Sequence, residues 1–300
     1  MLTACLTVYN HFLGTRLRPL TLERPKPLMP VGNVPLIEHT IAYLGRFGVN
    51  RIAVNAHHLS GQIHAYFDEE RCDGVIVKVY EEPEILGTGG GLKNTEDFWD
   101  DEPFILINGD VFTNMDLEPA LEAHRLGQHL ATLVVHHCPP YNQLLLGPEN
   151  RILDIAPARS AGRVAFTGIH VLDPRVLEEI PGRGFSNIVD VYRDLIRRGA
   201  AIHGYVTEGG TWRDIGTVES YLLANKDCAG KERFLMGQGC RVHESARLEE
   251  WAVLGAGVEV GPRARVVRSV LWAGARVSAG ARRSDCVITS HGAVSCASGS

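Results

Sequence analysis

From the N-terminus to about residue 140, short apolar strand patterns alternate with helical ones, and this alternation constrains the fold more than any other feature of the chain. Residues 2–9 are apolar and β-branched. Helical spacing follows from Ile37 to Phe47, with Gly48 as a stop signal. Arg51–Ala56 reads as a strand, Ser60–Glu70 as a helix and Gly74–Tyr80 as a strand. After the glycines at 87–91 a polar helical segment extends to about Trp99. Phe104–Asn108 is a compact strand, Leu117–Leu126 a helix and Ala131–His136 a strand. Alternation of this kind needs crossover connections, so it predicts a mostly parallel sheet flanked by helices. Ligands of such sheets sit beyond the carboxyl ends of the strands.

The pattern is less regular between Tyr141 and Gly204. A strand is expected through Val164–Leu172, a helix through Ile188–Arg198, and a strand through Ala201–Val206. Gly209–Thr217 then leads into a helix ending near Asn225. After Cys228 helical periodicity stops, and valines alternate with small residues at a six-residue period, as in Val253-Leu-Gly-Ala-Gly-Val and Glu259-Val-Gly-Pro-Arg-Ala. A hexapeptide repeat signals a β-helix, in which one aliphatic side chain per repeat fills a narrow prism. About three coils fit. The expected division is therefore a domain over 1–227 and a short accessory domain over 228–300.

Three chemically loaded segments fall at predicted strand ends. Residues 13–27 hold a glycine, three arginines, a lysine and three prolines, a composition poor for helix or strand but suited to a rigid loop that presents cations. Guanidinium forks and lysine point charges pair with phosphate. The glycines at 87–91 and Asp110 are the other two, and together they predict one cleft. The bland alternatives are a solvated basic loop, a flexible turn before a helix, and a turn aspartate. The pairs His57-His58 and His136-His137 read as surface or strand-end residues, and Trp212 as core packing. The net charge of −5 argues against a nucleic-acid partner. Seven scattered cysteines without CxxC spacing suggest reduced thiols. With no signal-peptide profile and no run of eighteen apolar residues, the expectation is a cytoplasmic protein without a membrane partner.

Four stretches, in order, resemble one family. Gly14-Thr-Arg-Leu-Arg-Pro-Leu-Thr with Pro25-Lys-Pro, Leu86-Gly-Thr-Gly-Gly, Asn108-Gly-Asp and Trp212-Arg-Asp-Ile-Gly-Thr are similar to the signature motifs of the sugar-1-phosphate nucleotidyltransferases, or NDP-sugar pyrophosphorylases. The resemblance spans about residues 6–227. It implies an α/β fold with a mostly parallel, Rossmann-like sheet, followed by a short left-handed β-helix. It also implies Mg²⁺-dependent transfer of a nucleotidyl group from an NTP to a sugar 1-phosphate, with release of pyrophosphate. By motif, Arg16 and Lys26 would be catalytic, and Asp110 and Asp214 would hold Mg²⁺. Leu13, Gly14, Thr15, Gly87, Thr88 and Gly90 would approach the nucleotide, and Asn108, Thr167 and Gly168 the sugar. The physical logic agrees: cations must cancel the repulsion of two polyanions, and Mg²⁺ needs only one or two carboxylates beside phosphate. The tail is expected to serve homo-oligomer contacts or regulation.

Two departures stand out. Asn10-His11-Phe12 replaces the family's Ala-Ala-Gly, so the nucleotide turn is rebuilt, the pose shifts, binding is impaired, or the reading frame changes upstream of Leu13. This leaves open a catalytically impaired relative that binds NDP-sugar or regulates a partner. The segment Ile155–Arg159 lacks the family's sugar-phosphate lysine, with Arg159 or Arg163 as substitutes. Phe166-Thr-Gly-Ile-His170 is closest to members acting on mannose 1-phosphate or N-acetylmuramate 1-phosphate. An acyltransferase built on the repeats fails on size.

Overall fold

The computed structural model describes residues 2–7, 16–69, 74–156, 162–182 and 184–296. The chain divides into two compact units, Met1–Leu13 with Thr40–Trp212 and Gly14–His39 with Arg213–Ser300. The sequence suggests a single boundary at 227/228. The second unit takes in the loop near the N-terminus together with the repeat tail.

In the first unit nine strands form one mixed sheet: β1 (Leu2–Thr7), β2 (Val49–Ala56), β3 (Ile76–Glu81), β4 (Phe104–Asn108), β5 (Ala131–His136), β6 (Asn142–Leu146), β7 (Ile152–Ile155), β8 (Arg163–Leu172) and β9 (Ile202–Val206). Strands β4-β1-β2-β3 run parallel, with Thr7 beside both Asn108 and Asn55. This is the doubly wound order, and chain direction along the sheet reverses between β1 and β4. The other half is organised by β8, antiparallel to β4, β5 and β6, with β9 parallel to β5. Strands β6 and β7 close the edge and lie in the stretch where the sequence pattern is irregular. Helices α1 (Leu36–Gly45), α2 (Ser60–Glu69), α3 (Gly87–Asn94), α4 (Glu118–Gly127) and α5 (Ile188–Arg197) make the connections, each within a residue or two of the expected bounds except α3. The core joins Cys5, Phe104 and Leu106 of the central strands to Ile188, Tyr192 and Leu195 of α5.

The second unit contains α6 (Val218–Ala229), capped by Thr217, and a stack of short parallel rungs. Phe234 lies beside Ala252, Arg247 beside Arg265, Glu259 beside Arg276 and Val270 beside Val287, so paired positions are 17 or 18 residues apart. Three six-residue steps thus make one coil. The repeat aliphatics Leu254, Val260 and Val266, then Leu271 and Val277, are buried inside the stack. Residues Ala293–Ser295 return antiparallel on Cys286–Ile288 and close it. Among the described residues no helix is long and apolar enough to cross a membrane.

Candidate active site

The described part of the cation loop starts at Arg16, and Leu13, Gly14, Thr15 and the unusual Asn10-His11-Phe12 lie outside the described residues. One short helical turn, Leu20–Glu23, and a tighter turn over Lys26–Leu28 fold the loop on itself, with Met29 N–H donating to the Lys26 carbonyl at 3.1 Å. Lys26 is only 6% exposed, so it is not a solvent-facing loop lysine. Arg16 is exposed. Its guanidinium and the Asp214 carboxylate converge on Gly216: a Cβ built there would lie 2.8 Å from Arg16 Nη2 and 3.4 Å from Asp214 Oδ1. The sequence motifs around Arg16 and Asp214, some 200 residues apart, are therefore brought together in one unit, and Gly216 is the residue that leaves room for both.

In the first unit Asn108 and Asp110 follow the carboxyl end of β4, beside the switch between β1 and β4. Asp110 is half-buried. Asn108 accepts from the Thr7 hydroxyl at 3.4 Å, and its amide nitrogen would sit 2.7 Å from a Cβ at Gly168. Gly168 has φ +76°, at the place where the β8–β5 register slips between Phe166 and His170. The slip is a bulge, a device that re-aims backbone near functional sites, and only glycine fits this one. Thr167 is 1% exposed; its hydroxyl donates to the Val134 carbonyl at 2.7 Å, and its own carbonyl accepts from Trp212 Nε1 at 2.8 Å. Thr167 thus shapes the bulge from within. Trp212 packs edge-on against His136 and Tyr141. Desolvation lowers the His136 pKa.

The glycines at 87–91 begin α3 rather than preceding a helix as a turn. Gly89 and Gly90 N–H groups donate to the Ser186 carbonyl at 2.8 and 3.1 Å, and Ser186 N–H donates to the Leu86 carbonyl at 2.7 Å. A Cβ on Gly87, at φ +72°, would lie 2.5 Å from the Ser186 carbonyl oxygen. The Thr88 hydroxyl accepts from Ile188 N–H at 3.1 Å. The close approach that these glycines permit is therefore made to the start of α5. From the other side, Asn55 donates to the Gly91 carbonyl and to Glu82, both at 2.9 Å, while Glu82 also accepts from Leu86 N–H at 3.3 Å. The buried Cys5 thiol donates to Asn55, and desolvation raises its pKa strongly.

Ser186 and Asn55 carry no local sequence signal, since each acts through a contact made far along the chain, and Glu82 joins the local Leu86 N–H to the distant Asn55. Arg163, offered as a substitute cation, instead pairs with Asp154 at 2.6 Å, and Arg159 lies outside the described residues. No cluster of three or more acidic, histidine or cysteine side chains forms among the described residues. A magnesium ion that keeps waters and phosphate oxygens needs no such cluster, so single carboxylates such as Asp110 and Asp214 suit it chemically.

Residues 13–231 match a family model described as nucleotidyl transferase. A mannose-1-phosphate guanylyltransferase of Mycobacterium tuberculosis is 30% identical over 294 residues, covering 89% of this chain and 79% of that protein. A UTP–glucose-1-phosphate uridylyltransferase of Synechocystis is 29% identical over 240 residues, covering 73% of this chain but only 62% of that longer protein. Among solved structures, a Bacillus anthracis protein described as a glucose-1-phosphate thymidylyltransferase superposes with a TM-score of 0.68 at 23% identity, covering 77% of this chain and 96% of that one. The last likeness concerns the fold.

Proposed function

The chain belongs to the nucleotidyl transferase family, and we propose that it transfers the nucleotidyl group of an NTP to a sugar 1-phosphate. An oxygen of the sugar phosphate forms a bond to the α-phosphorus of the NTP. The bond from that phosphorus to the β-phosphate oxygen breaks, and pyrophosphate leaves with the electron pair. The attacking phosphate is already ionised, so no general base is required. The observation that carries this reading is the convergence of Arg16 and Asp214 on Gly216 in the same unit as the buried Lys26.

Arg16 binds the triphosphate and steadies the departing pyrophosphate, and Lys26 neutralises charge at the reacting phosphates. By motif Asp110 and Asp214 would be the Mg²⁺ carboxylates, and the ion would supply further cancellation of phosphate charge. Leu13, Gly14, Thr15, Gly87, Thr88 and Gly90 border the nucleotide, and Asn108, Thr167 and Gly168 the sugar. The names and coverage of the relatives favour mannose 1-phosphate with GTP as the first substrate pair to try. The coil stack is read as a left-handed β-helix that also serves oligomer contacts. The product would supply cytoplasmic polysaccharide or cell-wall assembly with an activated sugar. Purified protein with Mg²⁺, a panel of sugar 1-phosphates and the five common NTPs should release pyrophosphate, and a silent panel would remove the enzymatic reading. The impaired alternative rests on Asn10-His11-Phe12. Putting Ala-Ala-Gly at those positions should leave NTP affinity within about threefold if the native turn works.

A further inference from the structure

One corner of the coil stack recurs at Leu254–Gly255, Leu271–Trp272 and Ile288–Thr289, which the parallel register sets directly above one another. Each of these corners holds a different point of the segment that carries Lys26. At the first, the Leu254 carbonyl accepts from Asn33 Nδ2 at 2.9 Å. At the second, the Trp272 ring lies 5.4 Å from the Arg24 guanidinium, and Trp272 Nε1 donates to the Tyr221 hydroxyl at 3.0 Å, which itself donates to the Pro30 carbonyl. At the third, the Thr289 hydroxyl donates to Glu23 Oε1 at 3.1 Å, and His291 lies 3.3 Å from Glu23 Oε2. Thr289 and Trp272 are each 6% exposed, and Glu23 keeps 25% of its side chain exposed, so the Thr289–Glu23 hydrogen bond is partly buried and is of the stronger, charge-assisted kind. Lys26 lies between the points fixed at Glu23 and Pro30.

We propose that this corner is a mount for the cation loop, and that Thr289 and Trp272 are positioning residues for the transfer reaction, acting through Glu23 and Arg24. The inference rests on the transferase reading for its kinetic part only. The prolines of the loop remove donors that could have stiffened it further. A displacement of about 1 Å in a charge-stabilising group can cost up to ~10²-fold in rate. The tail is thereby assigned a part in catalysis although none of its residues meets a phosphate.

The experiment compares the full chain with Thr289→Val, Thr289→Ser, Glu23→Gln and the Thr289→Val/Glu23→Gln double variant. Amide hydrogen exchange of residues 20–31 should quicken about tenfold in Thr289→Val and stay near the unchanged rate in Thr289→Ser, with melting temperatures within a few degrees of each other. In turnover, Thr289→Val should lower kcat about tenfold with KM within about twofold, Thr289→Ser should restore it, and the double variant should be no worse than the poorer single variant. Unchanged exchange in Thr289→Val, or multiplying losses in the double variant, would overturn the mount. If the unchanged protein turns over no substrate pair, the transferase reading fails, and the exchange result alone decides on the mount.

Discussion

The glycine helix α3 and the cation loop are both unusual segments, and they are held by supports of very different reach. Helix α3 is braced by Ser186 and Asn187, about 100 residues onward, and by Asn55 and Glu82 within the same parallel sheet. Its supports are the Ser186 backbone, the Asn55 and Asn187 amides and the Glu82 carboxylate, and the missing Cβ atoms let the Ser186 backbone close in. The cation loop is braced by α6 and by three coil corners, the last of them 266 residues away. Its supports are the side chains of Tyr221, Trp272 and Thr289 and the Leu254 carbonyl. A close backbone fit resists any added atom but needs no particular partner side chain, whereas a side-chain mount can be weakened by one substitution and restored by another. One segment is therefore expected to be sensitive in stability and the other in rate.

The sharpest separation should come from Lys26→Ala, which removes the loop's buried cation. Pyrophosphate release should fall by about 10²–10³-fold, while the melting temperature changes by only a few degrees; near-normal turnover would show that Lys26 does not touch the reacting phosphates. Gly87→Ala should do the reverse. The added Cβ meets the Ser186 carbonyl at 2.5 Å, and the φ of +72° disfavours alanine, so overpacking of about 2–3 kcal/mol should lower the melting temperature by roughly 5–10 °C. An unaltered melting curve would mean that the Ser186 brace is loose. Gly216→Ala tests the loop side more gently. Its Cβ would press on the flexible end of Arg16, so the fold should survive and kcat should fall by roughly tenfold. Equal kcat in the two proteins would separate Arg16 from Asp214.

Acid should weaken the packing of α5 on β8. His170 is buried against the Tyr192 hydroxyl of α5 at 2.7 Å, and burial lowers its pKa from 6.5 to about 3. The folded protein thus holds this imidazole neutral while the unfolded chain protonates it below about 6.5. Its contribution is fully present above pH 6.5 and is lost progressively as the pH falls toward 3. The melting temperature should be flat above that value and decline below it, and His170→Gln should flatten part of the decline. An identical acid limb in the variant would locate the acid sensitivity elsewhere.

The parallel half of the sheet was legible because β1, β2 and β4 each carry a short apolar or β-branched run, such as Ile52-Ala-Val and Phe104-Ile-Leu-Ile, with helical patterns between them. The coil stack was legible because its interior needs an aliphatic every six residues. The edge strands β6 and β7 were not, since Asn142–Leu146 and Ile152–Ile155 are short and lie in an irregular stretch, and Leu153 remains 47% exposed. The motifs located Arg16, Lys26, Asp110 and Asp214 in sequence but said nothing of what supports them. Glycines at 87–91 suggested room for a ligand, and the structure shows the same residues making room for Ser186. A hydroxyl at 289 gave no hint of Glu23, because a contact over that span depends on how many coils lie between.

That dependence has a consequence for the length of the tail. Neighbouring rungs are about 4.8 Å apart, so the three corners span about 10 Å. The stretch from Leu254 to Thr289 therefore works as a ruler. Inserting or deleting one coil inside it would carry Thr289 a full rung away from Glu23, whereas coils added beyond residue 296 would leave the measure unchanged.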